Sequence, residues 1–282
     1  MGVVLALCSA LAYGLSDFVG GLLSRRTSAW AVAVVAQVSS TLCTAAIALF
    51  VTGSPHAADL RWALVAGVGS GLGTGFLYRG FSSGRMAVVA PVSAVGAALV
   101  PVLAGALGGE RPSLLVWSGI VAALPGIWLV SSASGDAPRS RSGRAPVAAG
   151  ATDGVLAGLG FGMLFAALGQ VPQHAGWWPL TLCQAVSVVT VVALALCLRA
   201  PWLPRGRTVR LAALAGPLGA TATGCFLVAT HHGYLTVAGV LSSLYPASTV
   251  LLAAVLLKER VHRAQGVGLG LCAVAVACVA AG

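Results

Sequence analysis

Among the acidic residues of this 282-residue sequence, Asp17 is the one set well inside an apolar run; Asp59, Glu110, Asp136, Asp153 and Glu259 fall in connections or at run ends. An ionisable group in hydrocarbon costs several kcal/mol on most scales, so it is a functional candidate by default. Ser9, Tyr13, Ser16 and Gly20 follow the spacing i, i+4, i+7, i+11, which puts a polar stripe beside Asp17 on one helix face. Such a carboxyl group suits proton exchange or contact with a solute. Its structural alternatives are a helix-to-helix hydrogen bond in the protonated form or an ion pair with Arg25 or Arg26.

Other apolar runs carry similar groups. Gln37, Ser40, Thr41 and Thr44 share the second run, and Ser242, Tyr245 and Thr249 surround Pro246 in the ninth. Adding Ser93 and Gln184 gives a candidate substrate-binding set of Tyr13, Ser16, Asp17, Gln37, Ser93, Gln184, Ser242 and Tyr245, with Asp17 also the coupling residue. Each has a structural reading as well, since Ser, Thr and Gln in membrane helices commonly bond across helices. Pro91, Pro101 and Pro246 free backbone carbonyls that a ligand could use. His231 and His232 are candidates for pH sensing, and Trp30, Trp177, Trp178 and Trp202 read as interfacial anchors.

Neither a catalytic residue nor a cofactor is expected, and no metal site. The seven cysteines all lie inside apolar runs without a CxxC pair, which suits small buried side chains rather than a zinc site or disulfide framework. The glycine-rich third run, residues 67–75, fits no GxGxxG frame and precedes no GK[ST], so its small residues read as helix-packing surface, as do Gly266 and Gly270. With no Walker motif, energy would come from an ion or solute gradient.

The elements that must hold these groups follow from composition. Only 8% of residues are Asp, Glu, Lys or Arg and 58% are hydrophobic, with a mean hydropathy of +0.96. So few charges cannot cover a soluble surface. The net charge of +10 forms no basic stripe interleaved with stacking aromatics, so nucleic acid is not an expected partner. At about 20 residues per crossing, the runs predict spans at 3–23, 30–51, 62–79, 87–107, 114–131, 153–169, 177–198, 209–230, 237–257 and 265–281. The expected fold is an all-α membrane protein of ten transmembrane helices, without a cleaved leader. A basic, Ser/Gly/Pro-rich linker at 132–151 separates five-helix units at 1–131 and 152–282.

The two units resemble each other. At an offset of 149, Gly84 pairs with Gly233, Ser93 with Ser242, Glu110 with Glu259, Arg111 with Arg260 and Gly119 with Gly268; at 147, Trp30 pairs with Trp177 and Gln37 with Gln184. All basic residues except Arg61 and Arg111 fall in odd-numbered connections, which the positive-inside rule assigns to the cytoplasm. Both termini would then lie outside. An odd number of spans per unit inverts the second unit relative to the first, the arrangement of inverted-repeat transporters.

The segments 12–18 (AYGLSDF), 89–94 (VAPVSA) leading to 109–112 (GERP), and 241–247 (LSSLYPA) leading to 258–260 (KER) resemble the EamA repeats of the drug/metabolite transporter superfamily. The resemblance covers nearly the whole chain as two copies and implies two inverted five-helix repeats in the cell membrane. It implies a secondary active transporter of small metabolites, an exporter of amino acids, drugs or related solutes, with protons as a candidate coupling ion. Relatives are commonly drawn with cytoplasmic termini, whereas the arginines of this chain point the other way. The partners implied are a small-molecule substrate and the lipid bilayer, with the protein a monomer or homodimer. A lipid-carrier flippase of the same fold is the alternative. An intramembrane enzyme fits less well, because Asp17 has neither a second acid nor a nucleophile pair at depth.

Overall fold

A computed structural model describes residues 1–83, 86–132, 145–256 and 262–282, without the side chains of 86–87, 131–132, 145–149, 250 and 252–256. Among the described residues the regular elements are helices, with no strand. They are α1 (Gly2–Ser24), α2 (Ala29–Ala48), α3 (Ala57–Ser82), α4 (Met86–Leu107), α5 (Leu114–Ser132), α6 (Ala145–Leu168), α7 (Trp178–Cys197), α8 (Arg207–Arg210), α9 (Ala215–Thr230), α10 (Leu235–Ser242), α11 (Tyr245–Leu256) and α12 (Arg263–Ala281).

Seven helical stretches among the described residues are long and apolar enough to cross a membrane: Gly2–Ser24, Ala29–Ala48, Val88–Leu107, Gly150–Leu168, Trp178–Cys197, Arg207–Thr230 and Arg263–Ala281. The ten-span expectation is therefore not met on length and hydropathy alone, for three physical reasons. The third run folds as one 26-residue helix, but its glycines, Ser70, Thr74, Tyr78 and Arg79 dilute its hydropathy. The apolar stretch of the fifth is short, Leu114–Val130.

The ninth run is broken into α10 and α11, because Pro246 offers no N–H to the Ser242 carbonyl; the Ala247 amide turns instead to Leu244 O at 2.9 Å. Pro91 and Pro101, by contrast, lie within an uninterrupted α4. In the eighth run Pro217 leaves the Ala213 carbonyl without its helical donor. A 3-10 turn, Leu211–Leu214, precedes α9 there, and the Ser39 hydroxyl supplies the missing bond at 2.8 Å. Helix α6 begins at Ala145, inside the expected linker; the remainder of that linker, 133–144, lies outside the described residues, as do Gly84, Lys258, Glu259 and Arg260.

Helix partnerships follow the duplication seen in the sequence. α1 packs on α9 as α6 packs on α3, and α1 packs on α10 and α11 as α6 packs on α4. α2 packs on α9 as α7 packs on α3, while α2 meets α7 and α5 meets α12. Glycines permit the closest of these approaches. Along α3, Gly67 and Gly71 face α7 while Gly69 and Gly73 face α6, so a Cβ at Gly69 would lie 2.6 Å from Gly160 O. In α12 the expected packing residues Gly266 and Gly270 touch nothing within 4 Å; Gly268 instead lies against α5, and its repeat partner Gly119 lies against α12.

Connections meet in two groups at opposite ends of α2. At its start, Ser28 caps the helix and donates to Pro201 O in the α7–α8 connection. Beyond its end, the Ser54 amide donates to His174 O in the α6–α7 connection at 3.0 Å.

Candidate functional site

Where α1, α2, α3, α6, α7 and α9 converge, they leave a narrow cavity enclosing about 430 Å3, its mouth included. α1 contributes Tyr13, Ser16 and Asp17; α2 contributes Ala36, Gln37 and Ser40; α3 contributes Ser70, Thr74 and Tyr78. From the second half come Phe161 and Leu164 of α6, Gln184 of α7 and Ala215, Gly219 and Thr223 of α9. Its polar side chains occupy the central turns of α2, α3, α7 and α9, and at 1.5 Å per residue Asp17 lies ~10 Å from the end of α1.

Five of the eight sequence-predicted residues, Tyr13, Ser16, Asp17, Gln37 and Gln184, line this cavity. The other three do not. Ser93 and Tyr245 bond each other, Oγ to hydroxyl, at 3.1 Å. The Tyr245 ring lies behind the cavity wall, 6.3 Å from the Tyr13 ring and 6.4 Å from the Phe161 ring. Ser242 is fully buried and donates to Ala6 O at 3.4 Å, which makes it a tie between α10 and α1. The shared polar helix face of α10 and α11 expected from sequence is thus spent on packing, because the break at Pro246 turns both side chains toward neighbouring helices.

The cavity walls show the repeat in their hydrogen bonds. Gln37 Nε2 donates to Thr74 Oγ1 at 3.1 Å and to Ser70 Oγ at 3.1 Å. Gln184 Nε2 donates to Thr223 Oγ1 at 3.5 Å and to Ser40 Oγ at 2.5 Å. Thr74 and Thr223 are separated by the same 149 positions as the Glu-Arg pairs. The tryptophans follow suit: a Cβ at Gly75 would meet Trp30 Cζ3 at 2.8 Å, and one at Gly224 would meet Trp177 Cη2 at 2.6 Å. Trp30 is 5% exposed and so packs within the bundle rather than anchoring it in an interface, while Trp178 is well exposed.

Asp17 is buried, 7% exposed, and makes no ion pair with Arg25 or Arg26. It lies within electrostatic range of Tyr13, Tyr78 and Tyr245. Tyr78 bonds the Ser16 side chain and lies directly against Gly20, one turn along α1 from Asp17. Ser16 also donates to Ala215 O at 3.2 Å, tying α1 to the start of α9. Two lining atoms, the Tyr13 hydroxyl and Gln184 Oε1, are buried with no hydrogen-bond partner among the described residues. A cavity with one carboxyl group, free amide and phenol groups and no lining Lys or Arg can accept protons and hydrogen bonds, and it favours a neutral or positively charged occupant.

The charges outside the cavity do structural work. Arg79, at the end of α3, donates to the buried Asp153 of α6, with Nε at 2.9 Å. Gly109 closes α4 at φ +90, with the Glu110 amide reaching back to Gly105 O at 3.0 Å. That turn delivers the Glu110 carboxylate to the first turn of α10, where it accepts from Leu235 N at 2.6 Å and Thr236 N at 3.0 Å. The predicted bracing role of Glu110 is realised as a cap on a helix in the other half. His231 Nε2 bonds Val171 O at 2.9 Å and His232 Nδ1 bonds Val228 O at 2.9 Å, so both rings hold backbone.

Ser70, Thr74, Tyr78 and Thr223 were not singled out from the sequence. Their signal was the i, i+4, i+8 spacing of Ser70, Thr74 and Tyr78, hidden among glycines that read as packing surface.

The profile of the EamA-like transporter family matches residues 1–132 and again 148–281. One solved structure, described only as the crystal structure of a protein, is similar over 98% of this chain and 95% of that one, with a TM-score of 0.72 and 17% identity. Likeness at that identity shows the fold alone. No protein with a curated description is significantly similar in sequence. With the family profile matching both halves of an apolar helical bundle, the chain belongs to the EamA-like transporter family, multi-pass membrane proteins that transport small solutes.

Proposed function

We propose that this protein is a secondary active transporter that exports small amine-bearing or neutral metabolites, amino acids and drug-like solutes among them, in exchange for protons. The observation that carries this reading is the cavity lined from both halves, with Asp17 as its single carboxyl group and no basic residue in its wall. One buried acid can hold either a proton or a cationic group of the solute, and competition for it couples the two fluxes. Gln37, Gln184, Tyr13 and Ser16 supply hydrogen bonds to the solute's polar atoms, and Phe161 and Leu164 cover its apolar part.

Alternating access requires two units related by a flip about an axis in the membrane plane. The exchange of helix partners between halves supports that relationship, and so do the connections. Ser28 meets Pro201 at one end of α2, and its repeat-equivalent contact, Ser54 to His174, lies beyond the other end. The proposal keeps ten crossings, five before and five after the linker, with the arginine-rich odd connections cytoplasmic.

Flux into or out of proteoliposomes, scanned over a metabolite panel with and without an imposed proton gradient, tests the function. Saturable, gradient-driven flux of an amine-bearing solute supports it. Movement of a lipid-linked carrier, with no small solute transported, would favour the flippase reading.

A further inference from the structure

Away from the cavity, His56, Asp59 and His174 converge at the junction of the α2–α3 and α6–α7 connections. His56 Nδ1 lies 3.0 Å from His174 Nε2, and Asp59 Oδ2 lies 3.6 Å from each of those nitrogens. Donor atoms bound to one ion at about 2.0–2.2 Å with near-tetrahedral angles are ~3.3 Å apart, so these three separations straddle the value that a shared ion imposes.

We propose that His56, Asp59 and His174 form a binding site for a divalent transition-metal ion of the zinc class. Two imidazoles and one carboxylate match the ligand preference of Zn2+, Co2+ or Ni2+, whereas Mg2+ and Ca2+ take oxygen donors. The surroundings prepare the ligands. Asp59 is 8% exposed, and its Oδ2 accepts from the His56 amide at 2.8 Å, which orients the carboxylate. The two connections already touch, through the Ser54 amide on His174 O and through Gly53 against Gly176, so little ordering remains for an ion to impose. The histidine side chains are 72% and 51% exposed, which leaves an entry path and room for a water ligand. The two histidines are 118 residues apart, in different halves, so the bound ion clasps the halves together on this face.

The test uses the full chain in detergent, titrated with Co2+ and followed by visible absorption and thermal unfolding. The expected result is one equivalent bound with the d–d absorption of a four-coordinate nitrogen/oxygen site, displaced by Zn2+, and a higher Tm with metal. Because loss of one outer-shell partner weakens metal affinity about 10–100-fold, His56→Ala/His174→Ala, which removes two ligands, should weaken it by more than ~100-fold. Its metal-free Tm should stay unchanged, since both rings are exposed; should the double variant not fold, His174→Ala alone serves as the comparison. Equal affinity in wild type and variant, or sulfur-to-cobalt charge-transfer absorption placing the ion on cysteines, would overturn the assignment.

Discussion

Gln184 Nε2 donates to Ser40 Oγ at 2.5 Å, a hydrogen bond between residues 144 positions apart that joins α7 to α2 where the two halves meet. Both side chains line the cavity, and Gln184 Oε1 is buried without a partner, so this amide is fixed on one side and available on the other. Gln184→Leu removes both. A side-chain hydrogen bond between membrane helices contributes about 0.6–2 kcal/mol, so the variant should unfold a few degrees lower. A solute that uses the free carbonyl should show a KM raised ~10-fold. Thermal unfolding and flux kinetics on one preparation separate the two effects.

Asp17→Asn keeps the shape of the side chain and removes its ability to exchange a proton. The variant should fold with a Tm at or above that of wild type, because a carboxyl group no longer has to be accommodated in the bundle. Flux should lose its response to an imposed proton gradient while solute-for-solute exchange persists for neutral solutes. Gradient-driven flux at the wild-type rate would remove Asp17 from the coupling step.

Tyr78 reaches the cavity because Gly20 leaves space for its hydroxyl. Gly20→Ala should displace the ring at a cost of about 1–3 kcal/mol. Combining it with Tyr78→Ala should recover most of that loss, giving a coupling energy above ~1 kcal/mol in a double-mutant cycle of unfolding free energies. Additive effects would mean that the two positions do not touch.

Glu110 holds two amides at the start of α10, which would otherwise lack partners. Glu110→Ala should cost about 1–2 kcal/mol and speed hydrogen exchange at Leu235 and Thr236. Glu110→Gln, which keeps one acceptor oxygen, should cost less. Exchange rates unchanged in Glu110→Ala would show that the cap contributes nothing.

The sequence exposed the apolar runs and the Trp-Gln duplication because side chains in lipid must be apolar over a length set by the bilayer. It exposed Asp17 because a lone acid stands out in such a run. Thr74 and Thr223 stayed hidden since a threonine's role depends on which helix its face meets, and the glycine spacing of α3 gave a competing explanation that is also true. Ser93 and Tyr245 were individually plausible ligands; that they satisfy each other is a relation between distant segments that no local pattern encodes. His56 and His174 escaped for the same reason, each being unremarkable in its own connection. Pro246 was read correctly as a backbone perturbation, whereas α4 absorbs Pro91 and Pro101 without a break.

Access to the cavity from both membrane faces is the central claim, and a cysteine at Gly219 tests it most directly. A Cβ there would meet nothing closer than Ser40 Oγ at 3.7 Å and Ser16 Oγ at 3.9 Å, so the thiol fits on the cavity wall without displacing a neighbour. In a chain whose seven natural cysteines are replaced, Gly219→Cys in oriented vesicles should react with a membrane-impermeant thiol reagent added to either side, and solute should change the two rates in opposite directions. Labelling from one side alone, or from neither, would contradict a site that opens alternately to both faces.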